Sequence, residues 1–453
     1  LDIGDYLSRE EKLAIVGKFK SVANTEMKWK SLEPNEHGDW INQRNDIFDT
    51  FFGIGLKDKK DSSQKIFKSN FTNGIKTQRD AWCYDSHSTK LVSNMNEMIS
   101  NYNEQVSASK DNPKHKVEND PTKINWTVNL RRDFKNRKIH SLKNDAIRTA
   151  VYRPFFKQKL YFDIAFIERP GLNGSIFLDN NLLNRTICIP STGDNKEFSA
   201  LITDTFSDYG MMGGAQCFPL YYYEERQKKS PKLFDDTGES EYVRRDGVSD
   251  FILERAKKVY GKNVSKEDIF YYVYGLLHSP DYRTAFANDL KKMLPRIPLV
   301  EDVRDFWKFS KAGRALADLH INYEEVPPYE GVEVSGDSSG HFRVEKMRFP
   351  KKGQKDTIIY NSKIVVSNIP AKAYDYVVNG KPAIEWIMEC YQVKTDKKSG
   401  ITNDPNDWAD EVGNPRYILD LLLSIVNVSV QTMEIVENLP QLKLEDEPEK
   451  TEN

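Results

Sequence analysis

Hydrophobic residues recur at helical spacing in several segments, and each segment is bounded by residues that begin or end helices. Ser8 followed three residues later by Glu11 is the pattern of a capping box. Gly261 is a typical C-terminal stop, Ser265 a typical N-cap, and Pro280 a typical first helical residue. We therefore predict helices over residues 8–19, 97–106, 248–260, 266–277 and 279–295.

Shorter apolar runs rich in β-branched and aromatic residues predict strands in the rest of the chain. In its middle part they cover residues 159–165, 186–189, 200–203 and 218–223. After Val326-Pro327-Pro328 the pattern alternates and predicts strands over residues 332–334, 342–349 and 357–366. Helices over residues 382–391 and 415–436 follow. This mixture predicts an α+β fold.

A length of 453 residues exceeds what one ordinary hydrophobic core accommodates, so we predict several domains. A polar, lysine-rich segment at residues 107–121 marks the clearest internal boundary. The predicted parts are a connector (1–110), a mixed central subdomain with a basic patch (120–323), a β-rich subdomain with closing helices (326–440) and a disordered acidic tail (441–453). Residues 57–65 and 230–245 are predicted to be charged loops.

Composition restricts the environment of the chain more than its function. The four cysteines are widely spaced and indicate neither a disulfide framework nor a zinc site, which fits a reducing cytoplasm. The most apolar stretch, residues 418–430, contains Asp420 and Asn427 and is too short to span a bilayer, so we expect no membrane partner. A net charge of −2 gives no sign of nucleic-acid binding, but local patches decide that property.

One such patch lies between Arg131 and Lys159. This stretch contains ten basic residues and two acidic ones, Asp133 and Asp145, so its net charge is +8. A basic surface of this kind neutralises DNA phosphates and releases counterions. The alternative is a solvated basic helix face over a core of aromatic residues. The candidates for phosphate contact are Arg131, Arg132, Lys135, Arg137 and Lys138.

A second polar cluster contains Lys76, Gln78 and Arg79. Arginine and lysine can bridge the major-groove edge of guanine, and glutamine can do the same for adenine, so we predict base or phosphate contact here. The alternative is a loop in which Arg79 pairs locally with Asp80.

Three catalytic motifs match only in part. Residues 51–55 read F-F-G-I-G, but a charged run follows them where a methyltransferase cofactor loop needs a helix. The sequence V-P-P-Y at 326–329 begins with Val326, whose side chain cannot accept a hydrogen bond from a flipped adenine. Asp281 and Asp289 are spaced along a predicted helix, whereas nuclease acids usually converge from a hairpin. The histidines show no metal-binding spacing, so we predict no catalytic residues and no metal site.

Several blocks, in consistent order along nearly the whole chain, resemble the C-terminal target-recognition region of type ISP restriction–modification enzymes. They include PNEHGDW at 34–40, GIKTQRDAW at 74–82, YRPF at 152–155, CFPLY at 217–221 and NDPN at 403–406. The other blocks are at residues 2–7, 9–13, 42–44, 272–282, 295–299, 379–380 and 385–386.

The resemblance implies a bacterial protein that reads double-stranded DNA at a short asymmetric site and positions an N6-adenine methyltransferase there. Such enzymes join a nuclease, an ATP-driven translocase, the methyltransferase and the recognition region in one polypeptide. Residues 1–110 would then contain the end of the methyltransferase region, with its cofactor and adenine motifs upstream of Leu1. S-adenosylmethionine, ATP and Mg²⁺ are expected only in the complete enzyme, and this part alone is expected to be non-catalytic.

Two other functions remain open. The chain could be a structural coupling region that holds the methyltransferase against the translocase, which the near-neutral net charge favours. It could also be an active DNA methyltransferase or nuclease fragment, which would need a cofactor loop or an acidic cluster that the sequence does not display.

Overall fold

The structure, a computed structural model, describes residues 8–27, 29, 31–55, 64–68, 71–112, 114–178, 182–193, 196–226 and 241–443. The resemblance block at residues 2–7, most of the predicted loops at 57–65 and 230–245, and residues 444–453 of the predicted tail lie outside these ranges. The described residues form a mixed α+β fold with several small sheets, and a long helix ends it.

The α-helices of the described part are α1 (Arg9–Lys18), α2 (Asp80–Cys83), α3 (Ser88–Asp111), α4 (Val128–Lys135), α5 (Asn173–Ile176), α6 (Asp250–Tyr260), α7 (Lys266–Leu276), α8 (Pro280–Ala285), α9 (Ala287–Lys292), α10 (Val303–Ile321), α11 (Ala383–Cys390), α12 (Asn406–Glu411) and α13 (Tyr417–Glu437). Short 3₁₀ helices cover Asp46–Thr50, Asn144–Ala146, Tyr209–Met212, Asp337–Ser339 and Ala371–Tyr374.

The strands are β1 (Phe52–Gly53), β2 (Thr72–Asn73), β3 (Tyr84–Asp85), β4 (Ile147–Arg153), β5 (Phe156–Tyr161), β6 (Thr186–Ile189), β7 (Leu201–Thr203), β8 (Phe206–Ser207), β9 (Gln216–Pro219), β10 (Tyr221–Glu225), β11 (Tyr242–Asp246), β12 (Arg296–Ile297), β13 (Glu333–Ser335), β14 (Ile358–Ile359), β15 (Val365–Ser367), β16 (Val377–Val378), β17 (Lys381–Pro382), β18 (Lys394–Thr395) and β19 (Thr402–Asn403). The two largest sheets have the strand orders β2-β9-β6-β7 and β3-β5-β4-β8. In the second of these, β4 pairs with β8 in parallel and with β5 antiparallel.

The predicted capping residues begin and end helices where expected. Ser8 and Glu11 form a complete capping box on α1, and Ser265 forms one with Asp268 on α7. Gly261 ends α6 with φ +100°, a conformation that favours glycine. The helix predicted over residues 97–106 is longer and continues through Asp111, into the segment predicted as a linker. The helix predicted over 279–295 is divided at Phe286 into α8 and α9.

Two of the strands predicted after residue 326 are wrong in extent. Residues 342–349 contain only an isolated bridge between Arg348 and Ile359. The strand predicted over residues 357–366 is a hairpin of β14 and β15, with Ile358 opposite Val366. The side chain of Asn361 causes the reversal, because its oxygen accepts from the backbone nitrogens of residues 363 (2.9 Å) and 364 (2.8 Å).

Three hydrophobic clusters form the interior of the described part of the chain. One packs α3 against the β3-β5-β4 strands, a second contains α6 to α10, and the third surrounds α11 and α13. In the second, α7 crosses α10 where Gly275 faces Gly313, and a Cβ on Gly313 would lie 1.9 Å from the Tyr271 carbonyl oxygen. Only glycine permits this close approach of the two backbones.

Helix α13 extends the apolar stretch noted in the sequence to 21 residues, and by length and composition alone such a helix can cross a membrane. Of its 18-residue apolar window, 67% is buried inside the fold. Its hydrophobicity is therefore accounted for by the third cluster, which it fills with residues such as Leu422 and Ile425.

Candidate nucleic-acid interface

Asp80 fixes the loop that contains Lys76, Gln78 and Arg79. This carboxylate accepts a hydrogen bond from the hydroxyl of Thr77 and another, at 3.1 Å, from the hydroxyl of Tyr152. The loop is thereby fastened to strand β4, which contains Tyr152.

A second carboxylate, Asp208, completes this buried polar network. It accepts from the hydroxyl of Tyr84 at 3.2 Å and from the backbone nitrogen of Gly210 at 2.7 Å, and it pairs with Arg153 at 2.7 Å. Burial, together with the charge of Asp80, raises the pKa of Asp208 to about 7, while Arg153 acts in the opposite direction.

The three predicted side chains of this loop have different surroundings. Gln78 is exposed and has φ +57°, so the loop turns sharply there. Lys76 is half-buried, with its Nζ 5.0 Å from the centre of the Tyr209 ring. Arg79 is only 2% exposed, and burial lowers its pKa. DNA contact by Arg79 stays a prediction, and it would require this side chain to leave its buried position.

Arg79 connects the loop to helix α4. One of its terminal nitrogens donates to the hydroxyl of Thr127, which is the N-cap residue of α4. The side chain of Asn125 donates to the backbone oxygen of Gln78 at 3.1 Å. The fold therefore brings together the two clusters that the sequence singled out separately.

Helix α4 and the turn after it expose five basic side chains, which we call the α4 cations: Arg131, Arg132, Lys135, Arg137 and Lys138. None of them lies closer than 3.5 Å to a described carboxylate. Arg131 donates to Asn119 at 2.9 Å, Arg132 lies 3.9 Å from Asp133, and Lys138 lies 3.5 Å from the same carboxylate. The charged ends remain on the surface, where they can approach an anionic partner.

Four of the five later basic residues of the same stretch form ion pairs, whereas Arg148 donates to backbone oxygens. Three of them, which we call the strand cations, are Arg153, Lys157 and Lys159 on strands β4 and β5. Lys157 lies 2.5 Å from Glu324, and Lys159 lies 3.0 Å from Glu411. Carboxylates from distant parts of the chain therefore neutralise the strand cations, and the α4 cations are the part of the predicted patch whose charges stay exposed.

An open cleft of about 410 Å³ lies beside the α4 cations. Arg132 and Lys138 line it, together with Lys143, which pairs with Asp163 at 2.9 Å. At its base the Nε2 of His140 lies 3.0 Å from Asp133, and burial lowers the pKa of this histidine.

The structure contains a second group of cations that the sequence did not lead us to predict. An open groove of about 570 Å³ in the β13-β15-β14 region is lined by His341, Arg343, Lys346, Arg348 and Lys363, with Glu345 as its one acid. Arg343 pairs with Asp404, whereas Lys346, Arg348 and Lys363 form no ion pair with a described residue. The sequence contains a signal for this groove, since three of these cations lie within residues 343–348, but the alternating pattern of that segment predicts a regular strand.

The residues of the partial catalytic motifs serve packing and local structure. Asp289 is 1% exposed and accepts from the backbone nitrogen of Asn45, and Asp281 accepts from that of Leu442 at 2.9 Å. A Cβ on Gly55 would lie 2.7 Å from the Phe218 ring, so this glycine is required for packing.

Among the described residues, one cluster has ligand atoms of the kind and spacing that a metal ion uses: Glu36, His37 and Asp49. His37 already lies 2.9 Å from Asp49, which also lies 3.3 Å from Arg296. Local ion pairs thus account for the arrangement.

Comparisons with known proteins place this geometry in a family. Residues 65–421 match the model of the Type ISP C-terminal specificity domain. No curated protein sequence matches the chain significantly.

Three solved structures are similar over 98% of the chain. A nuclease-deletion mutant of the Type ISP restriction–modification enzyme LlaGI, in complex with a DNA substrate mimic, is 40% identical with a TM-score of 0.82. The ATP-dependent Type ISP enzyme LlaBIII bound to DNA is 38% identical with a TM-score of 0.84. A DrdV–DNA complex is 26% identical with a TM-score of 0.78.

The chain spans 39%, 28% and 43% of the lengths of these three proteins, respectively. The family model covers well over half of the chain. On these grounds the chain belongs to the family of Type ISP C-terminal specificity domains, the target-recognition part of these restriction–modification enzymes.

Proposed function

We propose that this chain recognises a short asymmetric sequence in double-stranded DNA and positions an adenine methyltransferase there. The observation that carries the proposal is the connection between the loop at residues 76–79 and the exposed α4 cations, through Arg79 and Thr127. The DNA complexes of similar enzymes support it.

The two parts of this surface have different roles in the proposal. The α4 cations contact phosphates, which sets register and supplies affinity without sequence information. Gln78 is exposed on a turn that Asp80 and Asn125 hold in place, so its amide is available for a base edge. An amide side chain pairs best with adenine, through N6 and N7.

The test is selection from a randomised duplex pool with the full chain at two salt concentrations. We expect enrichment of one short asymmetric sequence. The Gln78→Ala variant should lose discrimination at one position by about 1–3 kcal/mol. Gln64→Ala, which removes another exposed glutamine, should leave the selected sequence unchanged. Failure to enrich any sequence would contradict recognition by this chain alone.

The catalytic chemistry is assigned by this proposal to other parts of the polypeptide. Binding of S-adenosylmethionine, ATP and Mg²⁺ by those parts, and the lack of catalysis by this part alone, stay predictions.

A second candidate function, mechanical coupling to the methyltransferase, is favoured by the described residues between 8 and 41. Helix α1 buries none of its residues, and Leu13 is 60% exposed. Trp29, Trp40 and Ile41 are 61%, 60% and 67% exposed. Exposed apolar groups at this density mark an interaction surface, and we infer that the methyltransferase part of the same polypeptide covers it.

Co-expression of the methyltransferase part as a separate chain tests this coupling. Leu13→Ser with Trp40→Ser should abolish co-purification. Leu183→Ser, at a leucine that is 87% exposed elsewhere, should not affect it. Equal recovery of all variants would remove the coupling function.

A further inference from the structure

The open groove of about 570 Å³ in the β13-β15-β14 region has no role in the function proposed above, and we call it the cationic groove. Its walls are the segment 341–348 and the turn at residues 361–363. Ile359 and Val365, which are paired on β14 and β15, lie between these walls as its floor. Both floor residues are only half-buried, so the groove is shallow.

The hairpin holds the backbone of the first wall in place. The amide nitrogen of Asn361 donates to the carbonyl oxygens of His341, at 2.8 Å, and Arg343, at 3.0 Å. The hydroxyl of Tyr360 donates to the carbonyl oxygen of Phe342 at 2.6 Å. Three successive carbonyl groups of the wall are therefore fixed by side chains of the neighbouring turn.

The other side of the wall is fixed by Asn406, which is only 6% exposed. Its side chain donates to the carbonyl oxygen of Val344 at 2.7 Å and accepts from the backbone nitrogen of the same residue at 2.9 Å. Val344 and Met347 are buried in the third hydrophobic cluster. With these two side chains inside, the charged side chains of the wall are exposed: Arg343, Glu345, Lys346 and Arg348.

The charges on this fixed wall are mostly unpaired. Lys346, Arg348 and Lys363 form no ion pair with a described residue, and neither does Glu345, whereas Arg343 pairs with Asp404. Three unpaired cations against one acid leave the groove positive. Like charges held at fixed positions repel each other, and an anionic partner removes that repulsion.

The cationic groove is connected to the loop that contains Gln78. Asp404 pairs with Arg343, and the adjacent Asn403 accepts from the hydroxyl of Ser86 at 2.8 Å and from its backbone nitrogen at 3.1 Å. The eight-residue step from Gln78 to Ser86 spans at most about 30 Å. One turn of a DNA duplex is about 35 Å long, so the contacts that lead to the groove begin within about one turn of the loop.

We propose that the cationic groove binds the phosphodiester backbone of duplex DNA beside the recognised sequence. The duplex is the one assigned under the proposed function, on which this inference rests. Lys346, Arg348 and Lys363 contact phosphates, so the groove adds affinity and holds the flanking DNA without reading its sequence.

The shape of the groove favours a nucleic-acid backbone over an acidic protein segment. A protein segment gains its affinity largely from apolar side chains that fill pockets. The groove offers only the shallow floor of Ile359 and Val365 for that purpose. A row of phosphates needs exposed cations and no deep pocket.

The first measurement compares two duplexes that contain the same recognised sequence. One has about 4 base pairs of flank on each side and the other about 20, which adds more than one helical turn. We expect the full chain to bind the longer duplex about tenfold more tightly at about 50 mM salt. Equal affinity for the two duplexes would overturn the proposal.

The groove variant combines Lys346→Gln, Arg348→Gln and Lys363→Gln. It should bind both duplexes equally. On the longer one, the magnitude of the negative slope of log affinity against log salt should fall by about 3, at about 0.9 per contact. All three side chains are exposed, so the thermal unfolding midpoint should not change. A folded groove variant that keeps the full advantage of the longer duplex would overturn the proposal and favour an acidic protein partner.

The matched control removes the same charge elsewhere. It combines Lys257→Gln, Lys258→Gln and Lys262→Gln, at three exposed lysines on α6 and just after it. The control should keep the preference for the longer duplex and the original slope. A loss equal to that of the groove variant would show a general effect of net charge and would overturn the assignment to the groove.

Neutral methylphosphonate linkages in the flanks test whether phosphates are the atoms bound. They should remove the advantage of the longer duplex for the original chain, and they should cause no further loss for the groove variant. Equal losses for both would place the phosphate contacts elsewhere and overturn the proposal.

Failure of the groove and failure of the proposed function give different results. Phosphate contact is independent of sequence, so the slope difference between the groove variant and the control should also appear on long duplexes of random sequence, even where no sequence is enriched. Normal enrichment of one sequence by the original chain, with no slope difference between these two variants, would overturn the groove alone.

Discussion

The α4 cations and the strand cations lie within 29 consecutive residues and look alike in sequence, but they have different surroundings in the fold. The α4 cations protrude from a short helix and a turn, with contacts of 3.5 Å or more to the one acid nearby. The strand cations lie against the acids Asp208, Glu324 and Glu411, at 3.0 Å or less. A charge balance along the chain therefore overestimates the positive surface, because distant acids neutralise part of it.

The largest effect that tests this comparison is expected at Arg153. Arg153→Met leaves Asp208 buried without its counterion, so we expect a loss of about 3 kcal/mol in the free energy of unfolding at pH 8. Urea unfolding measures it. The loss should be smaller at pH 5, where Asp208 is neutral, and a loss below about 1 kcal/mol at pH 8 would contradict the structural role.

The second-largest effect is the pH dependence that Asp208 gives to the free energy of unfolding. Its pKa is about 7 in the fold, against an ordinary value of 3.8, so the folded state holds this proton more tightly. The stabilisation is complete below the ordinary value and is lost as the pH rises through about 7, at about 1 kcal/mol per pH unit between pH 5 and pH 7.

Asp208→Asn should remove this pH-dependent stabilisation. The measurement is the free energy of unfolding against pH for the variant and for the original chain, and the difference between the two curves cancels the contributions of the other titrating groups. Parallel profiles for the variant and the original chain would contradict a raised pKa at Asp208.

A moderate effect is expected at Lys159. Its Nζ lies 3.0 Å from Glu411 and 4.7 Å from the centre of the Trp408 ring. Lys159→Met should cost about 1 kcal/mol, since Glu411 keeps its hydrogen bonds from Ser88. Thermal unfolding measures it, and an unchanged midpoint would show that the pair contributes nothing.

The smallest effect on stability is expected at the α4 cations. Lys135 is exposed and forms no ion pair with a described residue, so Lys135→Met should change the free energy of unfolding by less than about 0.5 kcal/mol. A larger loss would mean that this lysine stabilises the fold, and it would contradict the distinction between the α4 cations and the strand cations.

Local structure was the most predictable part of the fold. Ser8, Ser265 and Gly261 act through hydrogen bonds and backbone angles within a few residues, so the sequence determines them directly. The strands after residue 326 were less predictable, because the turn at Asn361 depends on one side-chain oxygen within an otherwise continuous alternating pattern.

The candidate site was predictable in its location and less so in its members. Charge density marked α4, and the polar cluster marked residues 76–79. The burial of Arg79 depends on Thr127, 48 residues away, and the groove around Lys346 and Lys363 forms only when a hairpin brings them together. Contacts of this kind between distant residues leave no periodic signal in the sequence.

The most direct test of the central claim is the salt dependence of DNA affinity for two matched triple variants. One replaces Arg131, Arg132 and Lys135 by glutamine, and the other replaces Arg153, Lys157 and Lys159. If the α4 cations contact phosphates, the first should reduce the magnitude of the negative slope of log affinity against log salt by about 3, at about 0.9 per contact. The second, measured where it remains folded, should leave the slope unchanged. Equal slopes for the first variant and the original chain would contradict the proposed interface.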